Sequence, residues 1–85
     1  MSNKIKQDIS IGANLQLCRK RAGLSQEQAA AQLQLMGLPV SREIISQMEL
    51  GRYNIRVSVL LAMKQIYNAA IEDFFSGILL NNDRK

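Results

Sequence analysis

The stretch GLSQEQAAAQLQLMGLPVSREIISQMELG, residues 23–51, decides the fold. Gly23 ends whatever helix precedes it, and Ser25-Gln26-Glu27-Gln28 follows the capping-box pattern. In that pattern the serine hydroxyl accepts from the amide three residues on, while the glutamine side chain reaches back to the serine amide. A helix therefore starts at about Ser25. Its expected inner positions are Ala29, Ala30, Leu33 and Met36, and the alanines let another helix come close. Gly37-Leu38-Pro39-Val40 breaks the pattern, because glycine supplies a left-handed stop and proline cannot continue a helix. Ser41 can cap a second helix in which Ile44, Ile45 and Met48 fall within one arc of about 100°. Arg42, Glu43, Ser46 and Gln47 fall on the opposite arc, and Gly51 closes the helix.

Upstream, Ile11, Leu15, Cys18 and Ala22 share one helical face, with Ser10 available as a cap. Downstream, Arg52-Tyr53-Asn54-Ile55 reads as a polar connection to a fourth helix, from about Arg56 to Asn68, with Leu60, Met63 and Tyr67 as its apolar stripe. After a turn at Asn68, the spacing of Ile71, Phe74, Phe75, Ile78 and Leu79 predicts a fifth helix. No stretch alternates with period two over strand length. The expected fold is thus all-α, five helices, with residues 1–9 as a flexible basic arm, 10–80 as the domain and 81–85 as a polar tail.

Composition narrows the function. At 85 residues there is one core and no room for a large catalytic fold. The longest apolar run, Val59 to Met63, is five residues, against the ~20 that span a bilayer. No apolar stretch of signal-peptide length follows the first residues, so a cytoplasmic location is expected. A lone Cys18 excludes an intrachain disulfide, and the absence of histidine removes the usual ligands of a zinc site. The net charge of +4 is uneven. Residues 1–56 carry eight basic side chains (Lys4, Lys6, Arg19, Lys20, Arg21, Arg42, Arg52, Arg56) against four acidic ones, whereas residues 57–85 balance three against three. Such an excess suits a polyanionic partner.

A helix, a short break and a second helix with a polar outer face make the plan of a helix-turn-helix, whose second helix enters the DNA major groove. On these residues the sequence resembles the Cro and phage-repressor-like helix-turn-helix family, often called the XRE family. The resemblance runs from Ile11 to about Phe75. It rests on Ile11-Gly12, Leu15, Arg19, Gly23-Leu24-Ser25-Gln26-Glu27, Ala30, Leu33, Val40-Ser41-Arg42, Ile45, Met48-Glu49, Gly51 and Ile71-Glu72-Asp73-Phe74-Phe75. Three departures stand out: a longer break at residues 34–39, Leu50 where the family usually has asparagine, and Cys18 for a common leucine. The longer break is expected to extend the helix before it by about a turn.

The resemblance implies a double-stranded DNA partner and a transcriptional regulator, in the simplest case a repressor. Arg42 could fork onto guanine, and Gln47 could pair with adenine. Glu43 could accept from cytosine or repel wrong sites, and Ser46 could allow close approach or touch a thymine methyl. Gln26, in the first turn of its helix, is implied as a phosphate contact. Ser41, Arg52, Tyr53 and Arg56 complete the expected DNA-binding set, the last three reaching the flanking backbone. Arg19 and Glu49 look like the family's structural ion pair. No catalytic residues, cofactor, metal or small-molecule ligand are expected, because no nucleophile has a base at a recognisable spacing. A homodimer through Phe75, Ile78 and Leu79 would let two recognition helices read two half-sites. The alternative from another class is an antitoxin-type module that masks a partner protein and regulates its own operon. A membrane-surface role has less behind it, since no basic amphipathic helix presents an exposed apolar face.

Overall fold

The computed structural model describes residues 4–5 and 9–78. In chain order these form β1 (Lys4–Ile5), α1 (Gly12–Arg21), α2 (Gln26–Leu35), α3 (Arg42–Glu49), β2 (Ile55–Arg56), α4 (Val57–Ile66) and a 3-10 turn, Ile71–Phe75. β1 and β2 pair antiparallel, with Lys4 opposite Arg56 and Ile5 opposite Ile55. A ladder of two residues per strand is too short to show alternation, which is why the all-α reading missed it.

Capping chemistry places the helices where the sequence put them. The Ser25 hydroxyl accepts from the Gln28 amide at 3.0 Å, and Gln28 Oε1 accepts from the Ser25 amide at 2.9 Å. Ser41 caps α3 by accepting from the Ile44 amide at 3.2 Å. Ser10 acts one position early, accepting from the Gly12 amide at 3.1 Å while Ile11 stands at the N-cap. Gln34 and Leu35 stay in α2, which ends on Gly37 at φ +83°, a backbone conformation that side chains with a Cβ rarely adopt. Its two closing bonds run from the Gly37 amide to the Gln34 carbonyl (2.9 Å) and from the Leu38 amide to the Leu33 carbonyl (3.0 Å). Gln34 Nε2 then donates across the turn to the Val40 carbonyl at 3.0 Å. The long break is therefore a hydrogen-bonded corner. The same pair of bonds ends α4, with Asn68 at φ 51° in the glycine position.

The core joins Ile11, Leu15 and Cys18 of the first helix region to Ala29, Ala30 and Leu33 of α2, Ile45 and Met48 of α3, and Leu60, Met63 and Tyr67 of the α4 region. Val40, Ile55, Val59, Ala62, Ala69 and Phe74 complete it. Two expected inner residues lie elsewhere: Met36 and Ala22 are exposed, because each stands at a C-cap where the chain leaves its helix.

The expected fifth α-helix is replaced by the 3-10 turn, and the cause is competition for its carbonyls. Asn14 Nδ2 donates to the carbonyls of Phe74 (3.0 Å) and Ser76 (2.9 Å). An α-helix would give the Phe74 carbonyl to the Ile78 amide, which bonds Phe75 instead at 3.2 Å. Ser76 is extended and Gly77 lies at φ +78°, so the chain turns away. Asp73, held by the Ala70 amide and by Arg21 at 3.0 Å, fastens the turn to α1. These contacts hold its carboxyl below the usual range, the backbone hydrogen bond most and then the guanidinium. Leu79, the last residue of the expected stripe, falls outside the described residues.

Gly12 allows α1 to meet the end of α3 backbone to backbone. A Cβ there would press into the Glu49 carbonyl and stand 2.7 Å from the Met48 carbonyl oxygen. Gly12→Ala should therefore cost about 1–3 kcal/mol as the two helices are forced apart. Chemical denaturation checks this, and an unchanged midpoint would show that α1 and α3 do not touch at Gly12.

Candidate nucleic-acid interface

The surface expected to meet DNA is built outward from one buried joint. Arg19 Nε donates to Glu49 Oε2 at 2.7 Å and Arg19 Nη2 to Glu49 Oε1 at 3.0 Å, while Arg19 Nη1 donates to the Leu24 carbonyl at 2.8 Å. The side chains are 7% and 3% exposed. The hydrogen bond to Glu49 is the main reason the Arg19 guanidinium holds its proton above its ordinary value. Glu49 Oε1 also accepts from Gln26 Nε2 at 3.0 Å. The joint thus ties α1, the α1–α2 corner, the first residue of α2 and the last of α3 together. Arg19 and Glu49 take the structural role expected of them.

Gln26 was expected at a phosphate, and the structure shows what fixes its side chain. One N–H of its amide is committed to Glu49, which orients the half-buried side chain at the N-terminal end of α2. Its other N–H would remain for an anion beside the positive end of the helix. Sequence spacing could not show this contact, since the partners are 23 residues apart.

On α3, Ile45 and Met48 face inward and Ile44 is half-buried. At about 100° per residue, Arg42, Ser46, Leu50, Glu43 and Gln47 occupy one outer arc of about 140°. Arg42, Glu43 and Gln47 are exposed and Ser46 is half-buried. Arg42 Nη2 lies 3.5 Å from Glu43 Oε2, both exposed, so the two charges on this face partly satisfy each other. Ser41 uses its hydroxyl oxygen as the α3 cap and keeps its own O–H as a donor. Leu50, 58% exposed near the middle of the arc, was noted only as a missing asparagine. Its position makes it an apolar contact surface among polar neighbours, and the helical phase of residue 50 was the available signal.

Arg52, Tyr53 and Arg56 follow α3 and are all exposed. Neither arginine makes an ion pair with another described residue. Arg56 doubles as the N-cap of α4, whose first turn holds no acidic residue and no side-chain cap. The stretch from Leu50 to Ile71 contains no carboxylate at all.

Two helices locked at a capped, glycine-closed corner, the second with a packed inner face and a polar outer face, define a helix-turn-helix. The family model described as a helix-turn-helix domain matches residues 10–74, and the chain belongs to that family. The match agrees with an XRE-like DNA-binding family, and a helix-turn-helix domain of this kind suggests a DNA partner. No curated protein matches the chain. Among the described residues no helix is long and apolar enough to cross a membrane.

Behind the joint sits Tyr67, 3% exposed, its buried hydroxyl without a hydrogen-bond partner among the described residues. Burial, with the nearby Glu49 charge adding to it, pushes its pKa well up. The folded protein therefore holds this proton more tightly than the unfolded chain does. The associated stability is complete below the ordinary tyrosine value of about 10 and falls as pH rises above it. Burial raises the Cys18 thiol as well, adding a loss in the same direction. Tyr67→Phe should remove an unsatisfied hydroxyl, leaving the domain as stable or more stable by up to about 1 kcal/mol at pH 7. It should also flatten the stability loss above pH ~10. Thermal melts from pH 7 to 11 check this, and destabilisation at pH 7 would mean the hydroxyl has a partner.

Proposed function

We propose that the chain is a sequence-specific double-stranded DNA-binding regulator of transcription, acting in the cytoplasm and in the simplest case as a repressor, because occupying a duplex is enough to exclude other proteins from it. The observation that carries this reading is the outer arc of α3, on which Arg42, Glu43 and Gln47 are polar and exposed, on a helix whose inner face and both ends are fixed by packing, the Ser41 cap and the Arg19–Glu49 joint. Arg42 and Gln47 read base edges in the major groove, with Glu43, Ser46 and Leu50 shaping the fit. Gln26, Ser41, Arg52, Tyr53 and Arg56 hold the flanking phosphates, which position the helix without reading sequence.

The protein acts as a homodimer, because one recognition helix covers only a few base pairs and two can read half-sites about 34 Å apart. Of the expected seam, Phe75 is exposed, whereas Ile78 is half-buried against its own core. Leu17, exposed on α1 between the two residues that bind the 3-10 turn, Asn14 and Arg21, extends the apolar surface. Phe75→Glu should give a folded monomer by light scattering, with weakened binding to a duplex carrying two half-sites. An unchanged oligomeric state would remove Phe75 from the seam.

The DNA reading is tested on a duplex enriched from a random pool. Arg42→Ala should relax base preference at one position of each half-site by about 1–3 kcal/mol. Arg52→Ala should weaken all duplexes alike and lower the salt slope by about one unit. Equal, uniform losses from both substitutions would contradict the division between reading and positioning.

A further inference from the structure

The outer arc of α3 carries one cation, Arg42, and one carboxylate, Glu43, so the face turned outward has no net charge. The segment that follows adds two exposed arginines, Arg52 and Arg56. Attraction to a polyanion is therefore stronger on the flank than on the helix itself. Consecutive residues on a helix stand about 100° apart, yet Arg42 Nη2 lies 3.5 Å from Glu43 Oε2, with the side chains 50% and 74% exposed. An exposed pair of this kind is weak in water, so either group can exchange its partner for a ligand. The Ser41 cap holds both residues in the first turn of α3, and the carboxylate stays within reach of whatever Arg42 binds. A phosphate at Arg42 brings its negative charge beside that carboxylate and is repelled. A base edge carries no charge and meets no such penalty.

We propose that Arg42 and Glu43 read one G·C base pair as a unit, with Glu43 as its specificity-determining member. In the major groove guanine presents two acceptors, N7 and O6, and the paired cytosine presents an amino donor. The guanidinium donates twice to the guanine and the carboxylate accepts from the cytosine amino group, so the two side chains match that edge. An A·T pair sets an amino donor against the guanidinium, and a reversed pair opposes both side chains with like groups. The inference rests on the DNA reading above and names the base pair taken at the start of α3. Specificity is a difference of affinities, and it gains here from a repulsive element. Glu43 lowers affinity for the backbone of every sequence and favours one base pair.

The test uses the full chain, the enriched duplex and a random-sequence duplex. Glu43→Ala should raise affinity for the random duplex and steepen its salt slope by up to about 0.9, the value for one phosphate contact, because Arg42 is then free to take one. Preference for G·C at the position read by Arg42 should fall about tenfold. In an Arg42→Ala background the same substitution should leave base preference at that position unchanged. Glu43→Gln, which loses the charge and keeps an acceptor, should bind the random duplex as Glu43→Ala does while retaining part of the G·C preference. If Glu43 only complements the positive end of α3, Glu43→Ala lowers the melting temperature and shifts both duplexes by the same factor. That result overturns the reading unit and leaves the DNA reading standing, as does an enriched pool without G·C at the position that Arg42→Ala relaxes. A wild-type chain that binds both duplexes alike sinks the DNA reading, and the reading unit with it.

Discussion

The buried Arg19–Glu49 ion pair is the constraint on which the rest of the structure depends. Taking two charges out of water is costly, and such a pair holds only where geometry is good and the remaining hydrogen-bonding capacity is used. Both conditions are met. The guanidinium spends its Nε and both terminal nitrogens on Glu49 and the Leu24 carbonyl, and the carboxylate gains a third donor from Gln26. Each of these bonds crosses between elements, so the pair fixes where α3 ends relative to where α2 begins. Gly12 closes the arrangement from the other side, by letting α1 rest on the same carbonyl-bearing turn of α3.

A recognition surface follows from that joint with few further requirements. Ile45 and Met48 anchor the inner face of α3, which turns Arg42, Glu43, Ser46, Gln47 and Leu50 outward together. Gln26 is oriented by the carboxylate that ends α3, so the residue proposed for the phosphates and the helix proposed for the bases share one anchor. The basic connection from Arg52 to Arg56 has Glu49 as its one carboxylate nearby in sequence, and that group is committed to Arg19 and Gln26. Neutralising phosphates is the part of such binding that depends on salt, and reading base edges is the part that does not transfer between sequences.

Much of this was legible in the sequence because it is written in local chemistry. The capping box at Ser25, the cap at Ser41 and the stop at Gly37 each involve residues a few positions apart, and α2 and α3 lie where those signals placed them. The outer face of α3 followed from helical phase. What was not legible depends on contacts between distant residues. The apolar spacing of Ile71 to Leu79 is a good helical pattern, yet Asn14 takes the carbonyls that such a helix would need, 60 and 62 residues away in sequence. The β1–β2 ladder is two residues long, below the length at which alternation means anything. Leu35 remains 87% exposed at the end of α2, and nothing in the structure explains its apolar character.

The most direct measurement is a map of backbone amide shifts by two-dimensional NMR, as the enriched duplex is titrated into the isotopically labelled chain. Large perturbations should gather at Gln26, along residues 41–50 and through residues 52–56, and should spare the 3-10 turn and the C-terminal end of α4. Perturbations centred on α1 and the 3-10 turn, with α3 unmoved, would contradict the assignment of α3 as the helix that reads DNA.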